Sequence, residues 1–213
     1  MSVAIDHFEG VNFRINMATY LKGKFGADCD TSGSTAIELA ENSGRVRADI
    51  VPSYSHVMYC YDPWGRVATH EGQIVYRTDG TTVINYPDQQ LRNGIQKNKD
   101  TATRYKQLVR ILKRLENDLV DAGRMNALPS YFMECLMYRV PNDRFGDASA
   151  SGLSVDLRRC IAYIFAAADD GSAERWLEPN EIKPLFGNGQ KWSSADARQL
   201  ALEVWIKLKL DDI

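Results

Sequence analysis

The stretch Arg45-Val-Arg-Ala-Asp-Ile-Val-Pro-Ser-Tyr54 decides how the rest of the chain is read. Val46, Ala48 and Ile50 alternate with Arg45, Arg47 and Asp49, the spacing of a strand with one apolar face. Pro52 ends it, because proline has no N–H to give to a ladder. The polar face then sets two guanidinium groups beside the Asp49 carboxylate. Two readings fit: a satisfied ion pair, or a metal ligand on an open sheet face with arginines placed for phosphates.

Upstream, Val11 to Phe25 has Met17, Ala18, Leu21 and Phe25 on one side and Gly26 as a stop, which predicts a helix. Thr35 to Ala40 predicts a short strand, turned by Glu41-Asn-Ser-Gly44 into a hairpin with the opening stretch. Downstream, His56 to Tyr61 predicts a strand. Gly72–Arg77 and Thr81–Tyr86 flank Thr78-Asp79-Gly80 as a second hairpin. Tyr54, Tyr59, Tyr61 and Trp64 read as core and rim, with a strand-end tyrosine able to stack on a base.

After Pro87 the texture changes. Asp88 to Thr103 is polar and strand-free, and every later periodic segment has helical spacing. Tyr105, Leu108, Leu112, Leu115 and Leu119 form an apolar stripe. Pro129 opens a helix through Tyr131-Phe-Met-Glu-Cys-Leu-Met-Tyr138 that is apolar almost all round. Leu153 to Ala168 predicts another, and Ser193-Ser-Ala-Asp196 a capped start for the last. The expected fold is α+β, a strand-rich part over 1–87 and a helical part over 88–213.

Composition bounds the function. A 44% hydrophobic chain of 213 residues can bury a core, and a net charge of −2 gives no bulk attraction to nucleic acid. The run Cys160 to Ala168 is too short to span a bilayer, and the first residues do not make a signal peptide. Cys29, Cys60, Cys135 and Cys160 form no CxxC pair and read as reduced thiols of a cytoplasmic protein. The three histidines are scattered, without metal-ligand spacing. Lys106, Arg110 and Lys113 share one helix face beside the apolar stripe. Such a row is either a solvated surface or, at the junction of the two parts, the phosphate-binding edge of a cleft.

An ordered set of segments resembles the nucleotidyltransferase superfamily of oligoadenylate and cyclic-GMP-AMP synthases, in its bacterial cyclic-dinucleotide-synthase branch. The set is Arg47-Ala-Asp-Ile-Val-Pro52, Ile84-Asn-Tyr-Pro87, Asn93-Gly94 with Lys97-Asn98, Arg104 through Arg114, Pro129 through Leu136, and Ala195-Asp-Ala-Arg198. The resemblance implies part of a polymerase-β-like mixed sheet followed by a helical domain that closes a nucleotide cleft. It implies three carboxylates holding two Mg²⁺ ions, with Mn²⁺ as the alternative, for in-line attack on a donor triphosphate. Asp49 falls on the third acidic position, catalytic and metal-binding. Lys113 falls on the lysine that reaches the donor phosphates, and Ser130 on the serine near them. Arg110 and Lys106 extend that basic row.

The implied substrates are nucleoside triphosphates, and the product a cyclic di- or trinucleotide messenger of phage defence. Membranes and bulk nucleic acid are not expected partners. The family pattern opens with Gly-Ser and then Asp-x-Asp before the first helix, and the residues ahead of Val11 do not supply them. Gly33-Ser34 is not followed by Asp-x-Asp either. The expectation is therefore an incomplete form, inactive alone, with a complementary N-terminal segment or a regulatory protein as partner. The alternative is an inactive nucleotide- or partner-binding module.

Overall fold

Strands and helices segregate along the chain as the periodicities imply, giving an α+β architecture. The computed structural model describes residues 7–146, 152–187 and 189–212. It divides into two units, Met1–Pro87 and Asp88–Ile213.

The first unit opens with α1 (His7–Phe25). Ala18 and Leu21 of α1 are buried against Cys29, Ile37 and Leu39, with Met17, Phe25 and Ile50 packed at the margin. Gly10 lies so close to the Tyr76 ring that a Cβ there would overlap it. Strands β1 (Cys29–Asp30), β2 (Ile37–Leu39) and β3 (Ala48–Ile50) form one antiparallel sheet in that order. The register pairs Ile37 with Ile50, Glu38 with Asp49 and Leu39 with Ala48. The strand is shorter than its alternation predicts, and Val46 is 80% exposed, outside the apolar face. The cause is local: Asn42 and Arg45 exchange backbone bonds of 2.8 and 3.2 Å in a tight turn, and the regular ladder resumes only at Ala48.

Strands β4 (Tyr54–Tyr61), β5 (Val67–Tyr76) and β6 (Thr82–Asn85) form a second antiparallel sheet. The β5–β6 turn closes through Arg77 N–H to the Thr81 carbonyl, with Gly80 at φ +83°. A further turn joins β4 to β5. There Asp62 Oδ1 accepts the N–H groups of Trp64 and Arg66, each at 2.9 Å. Tyr59, Tyr61, Trp64 and Val67 are exposed, and Tyr54 is half-buried against Phe13 and Tyr76.

The second unit is built on α2 (Pro87–Asp100), α3 (Arg104–Asp121), α4 (Ser130–Arg139), α5 (Leu153–Asp169) and α6 (Ser194–Leu208). The predicted stripe Tyr105, Leu108, Leu112, Leu115 and Leu119 is buried along its whole length. It meets Phe132, Met133 and Leu136 of α4, Ile161 and Ile164 of α5, and Leu200 and Val204 of α6 in one core. The capping box of α6 is present: Ser193 Oγ accepts the Asp196 N–H at 3.2 Å, and Asp196 accepts the Ser193 N–H at 2.8 Å. Deeper in, the Arg104 guanidinium pairs at 3.1 Å with Asp156, which also accepts the Gly146 N–H.

Helix α2 is polar, and its sequence predicts only a strand-free span. Its Leu91 and Ile95 are exposed, and polar bonds anchor it. Asn93 donates to the Pro179 carbonyl at 2.8 Å, and Lys97 donates to the Val140 carbonyl and to Asn142 Oδ1. Burial around Lys97 lowers its amine to about 8. All four cysteines are free thiols. Among the described residues no helix is long and apolar enough to cross a membrane.

Candidate functional site

The predicted site residues fall in both units, and each unit arranges its own set. In the first, Asp49 sits on the exposed face of β3, directly across from Glu38. The neighbouring arginines are engaged elsewhere. Arg47 pairs with Glu38 at 2.6 Å, and Arg45 pairs with Asp28 at 3.1 Å while stacking over Phe25. Neither arginine satisfies Asp49, so the ion-pair reading loses its partners. Among the described residues no hydrogen bond or ion pair engages the Asp49 carboxylate.

Mg²⁺ prefers octahedral oxygen coordination and keeps several waters, so a protein carboxylate usually shares it with substrate phosphates. Asp49 offers one open carboxylate of the right kind. Among the described residues, however, no three His, Cys, Asp or Glu side chains gather into a group able to hold an ion. These residues alone do not fit a two-metal site.

Gly33 and Ser34, which no Asp-x-Asp follows, have another task. The buried Arg14 guanidinium takes the carbonyls of Thr31, Gly33, Thr35 and Ala36, and the Ser34 carbonyl accepts the Thr78 N–H. The loop turns carbonyl oxygens inward to a cation.

In the second unit, α3 carries the basic row. Its start is fixed by side chains: Thr101 Oγ1 accepts the Tyr105 N–H and Asn98 Oδ1 the Lys106 N–H, each at 3.1 Å. Asn98, part of a matching motif, is thus explained by the helix end it holds. Lys106 and Arg110 are exposed and Lys113 is half-buried. Among the described residues no ion pair engages any of the three, although Arg114 next door pairs with Asp118.

Ser130 is the first residue of α4, exposed, with no acidic residue in the first turn. Within the first turn the Phe132 N–H bonds the Pro129 carbonyl at 2.8 Å, and the Ser130 end of a helix start remains hospitable to anions. Glu116 brings this end toward the basic row. It is 4% exposed, and its Oε1 accepts the Leu128 N–H at 2.8 Å. Lys113 and Glu116 are neighbours one turn apart on α3, so the start of α4 is tied beside the turn that carries Lys113.

The next residue, Tyr131, is held from the other side. Its hydroxyl donates to Glu178 Oε2 at 3.2 Å, and Asn180 and Gln190 donate to the same buried carboxylate. Burial first, with Cys135 and Glu178 nearby, pushes the Tyr131 phenol up, so it remains a donor. Glu116 and Glu178 were not singled out in the sequence. For Glu116 a signal existed: it lies four residues after Leu112 and three before Leu119, inside the buried register.

The helical unit decides the family. Residues 92–209, more than half of the chain, match the model of the cGAS/DncV-like nucleotidyltransferase C-terminal helical domain. The chain belongs to the CD-NTase family. A cyclic dipyrimidine nucleotide synthase, CdnE, of Legionella pneumophila is 37% identical over 195 residues, covering 91% of this chain and 63% of that protein. The solved structure of the CdnE cyclic dinucleotide synthase of Elizabethkingia meningoseptica, with GTP and Apcpp, superposes with a TM-score of 0.79 at 28% identity. That match covers 92% of this chain and 69% of the other. The CdnE c-UMP-AMP synthase of Rhodothermus marinus shares the fold, with a TM-score of 0.77 at 24% identity over 96% of this chain and 68% of that one. This CD-NTase chain spans 63% of the length of its Legionella relative. Its relatives are cyclic dinucleotide synthases.

Proposed function

We propose that this CD-NTase chain binds the donor triphosphate in a nucleotidyl transfer that joins nucleoside triphosphates into a cyclic di- or trinucleotide. The observation that carries the reading is the pairing of Lys113, a cation without an ion-pair partner among the described residues, with the α4 start tied beside its turn through Glu116. Lys113 neutralises phosphate charge, and Ser130 adds a hydroxyl and its backbone N–H. Arg110 and Lys106 continue the positive row along α3. The relatives solved with GTP and Apcpp, or with Apcpp and Upnpp, support a triphosphate as ligand.

In the reaction, an acceptor hydroxyl oxygen attacks the donor α-phosphorus in line, and the bond to pyrophosphate breaks. Residues of this chain would hold the donor phosphates for that attack and balance their charge. Asp49 would give one ligand to Mg²⁺, or Mn²⁺, arriving with the triphosphate. Turnover on two metal ions would need further carboxylates beside Asp49. The four free thiols fit a cytoplasmic reaction, and the resemblance implies a product used in phage defence. A second reading, an inactive nucleotide- or partner-binding module, is favoured by one observation: no group of three metal ligands among the described residues.

Calorimetric titration of the chain and of Lys113→Ala with ATP and GTP, at two salt concentrations, tests the phosphate site. Losing one charge-assisted contact costs about 1.5–3 kcal/mol, so affinity should fall by roughly one to two decades. Equal affinities would return the basic row to a solvated surface.

A further inference from the structure

Glu116 is a carboxylate where an apolar side chain would pack at lower cost. It is 4% exposed, in register with Leu112 and Leu119, and its described bond is to a backbone N–H. Burying a carboxylate is expensive unless hydrogen bonds compensate, and a leucine in such a stripe carries no such penalty. Stability of the core therefore does not explain the choice of residue. Direction does. The Leu128 N–H that Glu116 fixes lies two residues before Ser130, and Pro129 between them sits at φ −57°. Proline fixes φ, so pinning Leu128 aims the first turn of α4 with little remaining freedom.

We infer that Glu116 is a positioning residue: its carboxylate holds Leu128, and through it Ser130, in register with Lys113 for a triphosphate group. The inference rests on the phosphate reading above. Glu116 does not touch the ligand, and its negative charge beside a phosphate site is tolerated because the bond needs an acceptor there. Glutamine keeps an acceptor of the same reach without the charge. It should position α4 equally well and bind an anion as tightly or more tightly.

The probe is inorganic tripolyphosphate, which removes base preference from the measurement. It is titrated into the chain and into Glu116→Gln, Glu116→Leu and Lys113→Ala, with thermal melting and Leu128 amide exchange recorded on each. Glu116→Gln should bind at least as tightly as the parent and keep the Leu128 amide protected. Glu116→Leu should melt close to the parent, because relief from burying a carboxylate offsets the Leu128 N–H left without its acceptor, and it should lose that protection and bind about tenfold more weakly. That split separates positioning from support of the fold, which would lower melting and binding together. If Glu116→Leu binds like the parent while Lys113→Ala is weakened, the positioning role is overturned and the phosphate site stands. If Glu116→Leu does not fold, Glu116→Gln decides: tenfold weaker binding with the amide still protected overturns the inference. No binding by the parent chain overturns the phosphate site and this inference together.

Discussion

The two units solve the same problem with different materials. The helical unit buries stripes from four helices in one apolar core, with Leu108, Leu112, Phe132 and Leu136 fully enclosed. The strand unit has a small apolar cluster around Leu21, Ile37 and Leu39, and relies on a polar clamp. Arg14, 3% exposed, gathers backbone carbonyls from the loop between β1 and β2, and Lys22 takes the Cys29 carbonyl at 2.7 Å. Large side chains of the β4–β5 hairpin meanwhile face outward. Apolar burial is non-directional and tolerates small shifts, whereas a guanidinium fork specifies where each carbonyl must be. The helical unit is stabilised by area, the strand unit by geometry.

The sharpest way to break that comparison is a pair of truncations. Leu112→Ala should destabilise the helical unit by about 2–5 kcal/mol, because the cavity left behind adds to the lost transfer free energy. Tyr61→Ser, on a residue 78% exposed, should stay within about 0.5 kcal/mol. Urea unfolding followed by far-ultraviolet circular dichroism gives both values. A comparable loss for Tyr61→Ser would mean that the exposed face of the hairpin supports the fold, and the contrast would fail.

Next in size is the clamp. Arg14→Met keeps much of the apolar stem but leaves several inward carbonyls without their donor. Each such group costs on the order of 1–3 kcal/mol when it stays buried, less whatever water recovers. The expected result is a loss of about that size in the strand unit, with amides of β2 exchanging faster and those of α3 unchanged. Arg14→Lys should rescue little, since an ammonium cannot reproduce the fork. Full rescue by lysine would mean that charge alone, and not geometry, holds the loop.

These two positions also explain what the sequence could reveal. The α3 stripe, the α6 capping box and the Thr78-Asp79-Gly80 turn were readable because the cause of each lies within a few residues of its effect. Helix α2 was not, since its anchors, Pro179, Val140 and Asn142, lie far along the chain. Arg14 and Glu116 stand between these cases. Arg14 shares the register of Ala18, Leu21 and Phe25, as Glu116 shares that of Leu112 and Leu119. A charged residue inside an apolar register is a visible anomaly, but its partner is long-range and invisible from spacing. The proposed site follows the same rule: resemblance nominates Asp49, Lys113 and Ser130, while no spacing pairs Glu116 with Leu128.

The smallest expected effect concerns Asp49, where the sign is the test. Asp49 lies directly across the β2–β3 ladder from Glu38, and like charges in that position oppose each other by roughly 0.2–1 kcal/mol. Arg47 is committed to Glu38 at 2.6 Å, which reduces the repulsion without giving Asp49 a bond of its own. Asp49→Asn should therefore stabilise the strand unit by a few tenths of a kcal/mol at low ionic strength, within that same range. The gain should shrink as salt screens the pair, because both groups are exposed. An Asp49 held in an ion pair would behave in the opposite way, losing stability on neutralisation, with salt reducing the loss. Urea midpoints for the two proteins at low and high salt separate these outcomes. A carboxylate that costs stability where it stands fits the ligand role proposed for Asp49. A measured loss on neutralisation would instead return Asp49 to a supporting role in the sheet.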